Sequence, residues 1–161
     1  NIGFTNRHYH WLYNREPSSN RMNILVLQGP NLNLLGLKSS HSNHKLTLDK
    51  LNRALRLHVR NTNNSLKFLQ THKEFQAINF LQRNRNWADA LLFIPNSWAK
   101  NNYILLETIN LIKLKTALIF FSEKYSFGTS EKESIFKGKC FHSFTGLPIQ
   151  SSIEGLNFLI N

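Results

Sequence analysis

Few side chains in these 161 residues could do chemistry, and several of them follow one apolar run. Ile24-Leu25-Val26-Leu27 passes through Gln28 into Gly29-Pro30-Asn31-Leu32, and Lys38, His41, His44 and Lys45 come next. Imidazoles mixed with ammonium groups could hold a phosphate or a metal ion, although the ordinary reading is a solvated loop, and no metal is expected. Lys100 could serve as a nucleophile or a Schiff-base amine if its pKa were lowered, and nothing in the sequence lowers it. Ser122 follows another apolar run, and His72 stands where it could cap or satisfy a helix start.

These groups matter only if the chain positions them. Residues 23–28 read as a buried strand, with Gly29, Pro30 and Gly36 marking the loop after it. Thr47 can cap a helix over 48–60 that carries Leu48, Leu51, Leu55 and Val59 on one face and Lys50, Arg53, Arg56 and Arg60 on another. A strand at 65–70, a helix at 74–82 with Phe75, Ile78 and Leu81 inward, and a strand at 90–94 ending at Pro95 follow. Then come a helix at 102–112 with Ile104, Leu105, Ile109 and Ile112 as its apolar positions, a strand at 117–121, a polar loop at 122–139, a strand at 140–144 and a closing helix at 153–160. Strands alternating with helices imply an α/β fold, a parallel sheet covered on both faces. Five such strands suit the flavodoxin-like doubly wound order 2-1-3-4-5, in which ligands sit beyond the carboxyl ends of the strands. Here those ends are the loops after Gln28, Ile94 and Phe121.

Composition narrows the classes further. The chain is long enough for one sizeable core, expected over 22–161, and residues 1–21 ahead of Met22 read as an N-terminal extension or arm. Cys140 is the only cysteine, which excludes an intramolecular disulfide, and no apolar run reaches the roughly 18 residues of a membrane span. Twenty Lys and Arg face nine Asp and Glu, for a formal charge of +11, and the excess is uneven: 13 basic and 3 acidic side chains up to residue 88, 7 and 6 after it. Drift in an AT-rich genome, consistent with 21 Asn, would produce basic character without a function. The alternative is that Lys50, Arg53, Arg56, Arg60, Arg83 and Arg85 form a continuous field for a polyanion such as RNA. The arm and the basic charge together suggest an organelle, a mitochondrion or plastid.

Gly29-Pro30-Asn31-Leu32-Asn33-Leu34-Leu35-Gly36 after the first strand resembles the type II 3-dehydroquinate dehydratases. The resemblance runs from Met22 to the end and includes Gln70-Thr71-His72-Lys73-Glu74, Ile94-Pro95-Asn96-Ser97 and Ser122. It implies elimination of water from a cyclic hydroxyketone acid through an enolate, with no cofactor, and assembly into trimers and dodecamers. Pro30, Asn31, Leu32 and Ser122 match the family's pocket, and Glu107 stands where the family has an Asp that reaches a neighbouring subunit.

The same alignment places substitutions at the reacting groups. The Arg that activates the family's base is Lys38, the base Tyr is Asn43, the enolate-holding Asn is Ile94, and the general acid His is Lys100. The His after the fourth strand is Phe120, and the lid Arg falls near Phe127. Because acid and base terms are worth about 10²–10⁴-fold each, the sequence leads one to expect a protein that is not an enzyme, kept as a structural subunit of a larger organellar assembly that could contain RNA. An enzyme or small-anion binder rebuilt around Lys38, Lys100 and Ser122 is the alternative. Tyr9, Trp11, Tyr13 and Trp98 lie on segments with little core to enter and are expected to anchor interfaces with protein partners.

Overall fold

A strand that is apolar on both faces is stable only between two covered surfaces, and β1 (Asn23–Gln28) is such a strand. The computed structural model describes residues 21–41 and 43–161; Tyr9, Trp11, Tyr13 and nearly all of the expected arm lie outside the described residues. After β1 come a 3-10 turn at Leu32–Leu34, α1 (Leu35–Lys38), α2 (Leu48–Val59), β2 (Ser65–Gln70), α3 (Glu74–Arg83) and β3 (Ala90–Ile94). Helices α4 (Trp98–Asn101) and α5 (Tyr103–Ile112) lead to β4 (Lys115–Phe121), and β5 (Phe141–Gly146) precedes α6 (Pro148–Ile160). All pairings are parallel and the order is β2-β1-β3-β4-β5, the flavodoxin-like arrangement expected from the sequence.

The period of two along each strand divides the core into two layers. Ile24, Val26, Leu92, Ile94, Ile119 and Phe121 pack with Leu51 and Leu55 of α2 and Leu156 and Leu159 of α6. Leu25, Leu27, Leu91, Phe93, Leu118 and Phe120 pack with Leu81 of α3 and Leu105 and Ile109 of α5. Helix α2 starts where its cap is: the Thr47 hydroxyl accepts from the Lys50 backbone N–H at 3.2 Å.

Several details differ from the sequence reading. Phe75 and Ile104 point outward, 60% and 53% exposed, because the sheet takes Ala77 and Leu81 from α3 and Leu105, Thr108 and Ile109 from α5. Helix α6 begins at Pro148, five residues earlier than expected, since proline at the first helical position lacks only an N–H that would be unbonded anyway. The stretch from 122 to 139 is no free polar loop: Tyr125, Ser134 and Phe136 are buried, and the Phe136 ring meets Phe93 edge-on at 5.2 Å. Trp98, expected at an interface, is buried in the α3–α5 layer, where the single turn of α4 swings it under the chain.

Two glycines record close approaches. A Cβ on Gly155 would lie 2.7 Å from Ile119 Cδ1 and 2.9 Å from Leu92 Cδ1, so α6 sits directly on the sheet. A Cβ on Gly29 would lie 2.4 Å from the Pro95 carbonyl oxygen and 3.1 Å from that of Ile94, both backbone atoms that cannot rotate away. Gly29→Ala is therefore expected to destabilise the fold by about 1–3 kcal/mol or more, the range for overpacking. Thermal unfolding of the variant checks this, and an unchanged midpoint would contradict the close approach.

Candidate functional site

The carboxyl ends of β1 and β3 are bound together before any functional side chain is placed. The Gly29 N–H donates to the Ile94 carbonyl at 2.8 Å, and Asn96 Nδ2 donates to the Pro30 carbonyl at 2.8 Å. Gln70 Nε2 reaches the Gly29 carbonyl at 3.1 Å from the end of β2. Asn31 and Asn96 both take left-handed backbone conformations, φ 69° and 50°, which asparagine tolerates better than most residues and which turn the two loops sharply. Beneath them Gln28 is fully buried; its Nε2 donates to Asn52 Oδ1 at 2.6 Å, while its Oε1 has no partner.

The loop after α1 is closed by one hydroxyl. Ser39 Oγ lies 2.9 Å from the Leu35 carbonyl and 2.8 Å from that of Leu46, and it accepts from the Leu46 N–H. The buried Tyr125 then donates its hydroxyl to the His44 carbonyl at 2.8 Å, fastening this loop to the turn after β4. Between the two lies a cavity of about 370 Å³ lined by Lys38, His41, Asn43 and Lys124. Its lining carries two ammonium groups, an imidazole and an amide, so it suits an anion.

The sequence-derived positions do not all meet there. Lys38 and Asn43 line the cavity, but the expected pocket around Lys38, Lys100 and Ser122 is not what the cavity contains. Lys100 instead pairs with Glu133 at 3.4 Å, and the Ile135 N–H donates to the Ala99 carbonyl at 2.8 Å, so the segment after β4 is pinned to α4. Ser122 donates its backbone N–H to the Gly146 carbonyl. Ile94 and Phe120, aligned with the family's enolate-holding Asn and its His after the fourth strand, are buried and pack in opposite core layers, and Phe127 is half-buried against the α2–α6 layer. Glu107 is exposed on α5, and Leu32 is buried under Asn31 and Pro30. His72 does not cap α3, whose N-cap is Lys73 and which has no side-chain cap hydrogen bond; Thr71 Oγ1 accepts from the Lys73 N–H at 3.0 Å in the turn before it. Lys124 and Glu133 were missed by sequence reasoning because both lie in a stretch taken as a loop, though the Ser130-to-Glu133 spacing is a capping-box signal that could have found the second. Among the described residues no group of three or more His, Cys, Asp or Glu could hold a metal ion, and no helix is long and apolar enough to cross a membrane.

The sheet order and the layers that cover it define a doubly wound α/β protein. A family model for class II dehydroquinase matches residues 22–160, and the chain belongs to that family. It is 24% identical over 139 residues to a 3-dehydroquinate dehydratase of Clostridium botulinum strain 657, covering 86% of this chain and 95% of the relative. It is 30% identical over 114 residues to one of Pelotomaculum thermopropionicum, covering 71% and 79%. The type II dehydroquinase of Butyrivibrio crossotus has the same fold, with a TM-score of 0.75 at 18% identity over 89% of this chain and all of that one. That of Propionibacterium acnes follows at 0.71 and 19%, over 86% and 96%. These findings correct the expectation of a chain that is not an enzyme: the kinship is with enzymes, and replaced side chains alone do not show that catalysis is lost.

The Lys100–Glu133 contact yields a measurable consequence. The Ser130 backbone N–H, and then the Lys100 ammonium, hold the Glu133 carboxyl below the usual carboxylate range. A depressed folded pKa means that the contact's contribution is complete above the unfolded value, about 4.3, and is lost as pH falls through the folded one. In Lys100→Ala the Glu133 titration midpoint should rise towards the ordinary value when followed by NMR at its side-chain carboxyl. A midpoint that stays put would show that Lys100 does not act on Glu133.

Proposed function

We propose that this chain is an enzyme of the dehydroquinase kind that takes a small hydroxylated keto acid of the 3-dehydroquinate class, with reacting groups redistributed along the loop after β1. The observation that carries this reading is the cavity lined by Lys38, His41, Asn43 and Lys124. Its two ammonium groups suit the substrate carboxylate and a developing enolate oxygen, and an imidazole exchanges protons readily near neutral pH. His41 takes the proton α to the ketone, the electron pair moves into the ring as an enolate, and the hydroxyl β to the ketone then leaves. The imidazolium returns its proton to that hydroxyl, so water and an enone are the products. Asn43 can donate its amide to the substrate but does not accept the proton.

The test is turnover of 3-dehydroquinate by the full chain, followed by absorbance of the conjugated product. His41→Ala should lower kcat by about 10²–10⁴-fold with an unchanged circular dichroism spectrum, the range for removing a general base. Lys38→Ala should chiefly raise KM. Wild-type protein that neither turns over nor binds dehydroquinate would overturn the reading.

A second reading concerns partners. Ile104, Glu107 and Leu111 share one face of α5, and Tyr103, Ile104 and Leu111 are 64%, 53% and 72% exposed. An apolar stripe around Glu107 supports assembly with protein subunits, further copies of this chain included, through that helix.

A further inference from the structure

The basic side chains of the first half converge on one edge of the sheet. Strand β2 is the outer strand, paired only with β1. On one side of it, Arg53 and Arg56 are exposed at helical spacing along α2 and Arg60 is exposed at its C-cap, and the Arg56 guanidinium lies 4.4 Å from the centre of the Phe68 ring. On the other side, Lys67 Nζ lies 4.2 Å from the Trp87 ring and donates to Asn84 Oδ1 at 2.9 Å, with exposed Arg83 and Arg85 on either side of that asparagine. The field expected to be continuous is thus divided between two layers and joined only across β2, where Lys67 and Phe68 are neighbours.

Two features of this rim point to its occupant. Among the described residues none of these cations has a carboxylate within ion-pair distance: Arg56 lies over the Phe68 ring, Lys67 over the Trp87 ring and on the Asn84 amide, and Arg85 donates to the Gln82 carbonyl at 2.6 Å, so their charge stays available. Of the two carboxylates between residues 22 and 88, Glu74 accepts from Asn102 at 2.7 Å, and Asp49 lies in the first turn of α2, at the far end from Arg60. Lys67 in the middle of an edge strand discourages another strand from adding there, which disfavours an acidic peptide bound by β-pairing. Planar guanidinium forks match phosphate oxygens, and five of the six rim cations are arginines.

We propose that the β2 rim, from Arg53, Arg56 and Arg60 across Lys67 to Arg83 and Arg85, binds the phosphate backbone of RNA. Cations already cover the exposed faces of Phe68 and Trp87, so bases have no ring to stack on and the contact is independent of sequence. The cleft beside His41 plays no part in it, and the two proposals fail separately.

The experiment is fluorescence anisotropy of a labelled 20-nucleotide RNA with the full chain over a salt series, since neutralised phosphates give affinity that falls with salt. Two variants lose the same charge: Arg53→Gln with Arg56→Gln and Arg60→Gln on the rim, and Lys132→Gln with Lys137→Gln and Lys139→Gln, all three exposed, before β5. The rim variant should bind about tenfold or more weakly and lose about 2–3 from the salt slope, with an unchanged unfolding midpoint, while the second triple stays near wild type. Equal losses in both triples would reduce the effect to net charge and overturn the proposal. So would absence of binding at 0.1 M salt, or displacement of the RNA by poly-glutamate at equal charge concentration.

Discussion

Everything at the carboxyl end of this sheet depends on the contact between two strand-end loops where no side chain fits. Gly29 passes so close to the Pro95 carbonyl that the backbones of the β1 and β3 loops are in direct contact, and a hydrogen bond from each loop to the other fixes them. With those loops rigid, the chain leaving β1 has a fixed starting direction. The Ser39 and Tyr125 hydroxyls can then hold the following loop against the turn after β4 and leave the cavity between them.

This arrangement separates the scaffold of the family from the residues that do its chemistry. The Gly-Pro-Asn turn is required by close packing whether or not a substrate is present, so its retention speaks for the fold. The positions aligned with the family's reacting groups have diverged in two ways. Ile94 and Phe120 have joined the core, where apolar burial stabilises the sheet, and Lys100 pairs at the surface with Glu133. The remaining polar lining lies nearer the loop of Lys38 and His41 than the strand ends themselves, which is where a redistributed site would have to operate.

The sheet order and both core layers were legible in the sequence because apolar runs of five or six residues bounded by Gly, Pro or Asn admit few other readings. Helix faces were less so. Phe75 and Ile104 read as core because propensity and hydrophobicity cannot say which of two neighbouring apolar residues meets the sheet. Trp98 read as an interface group because a four-residue helix leaves no periodic signal. The site was least legible of all: Lys124 lines the same cavity as His41 from a distant stretch of chain, beside the Tyr125 hydroxyl bond to His44, a contact across 81 residues that no local pattern announces.

The central claim is that the cavity beside the loop after β1 is the ligand site of this chain, and backbone amide NMR during a titration with 3-dehydroquinate tests it most directly. The account predicts saturable shifts concentrated at Lys38, His41, Asn43 and Lys124, with the β2 rim unaffected. Saturable shifts around Lys100 and Glu133 without change at Lys38 and His41, or no shifts at all, would contradict it.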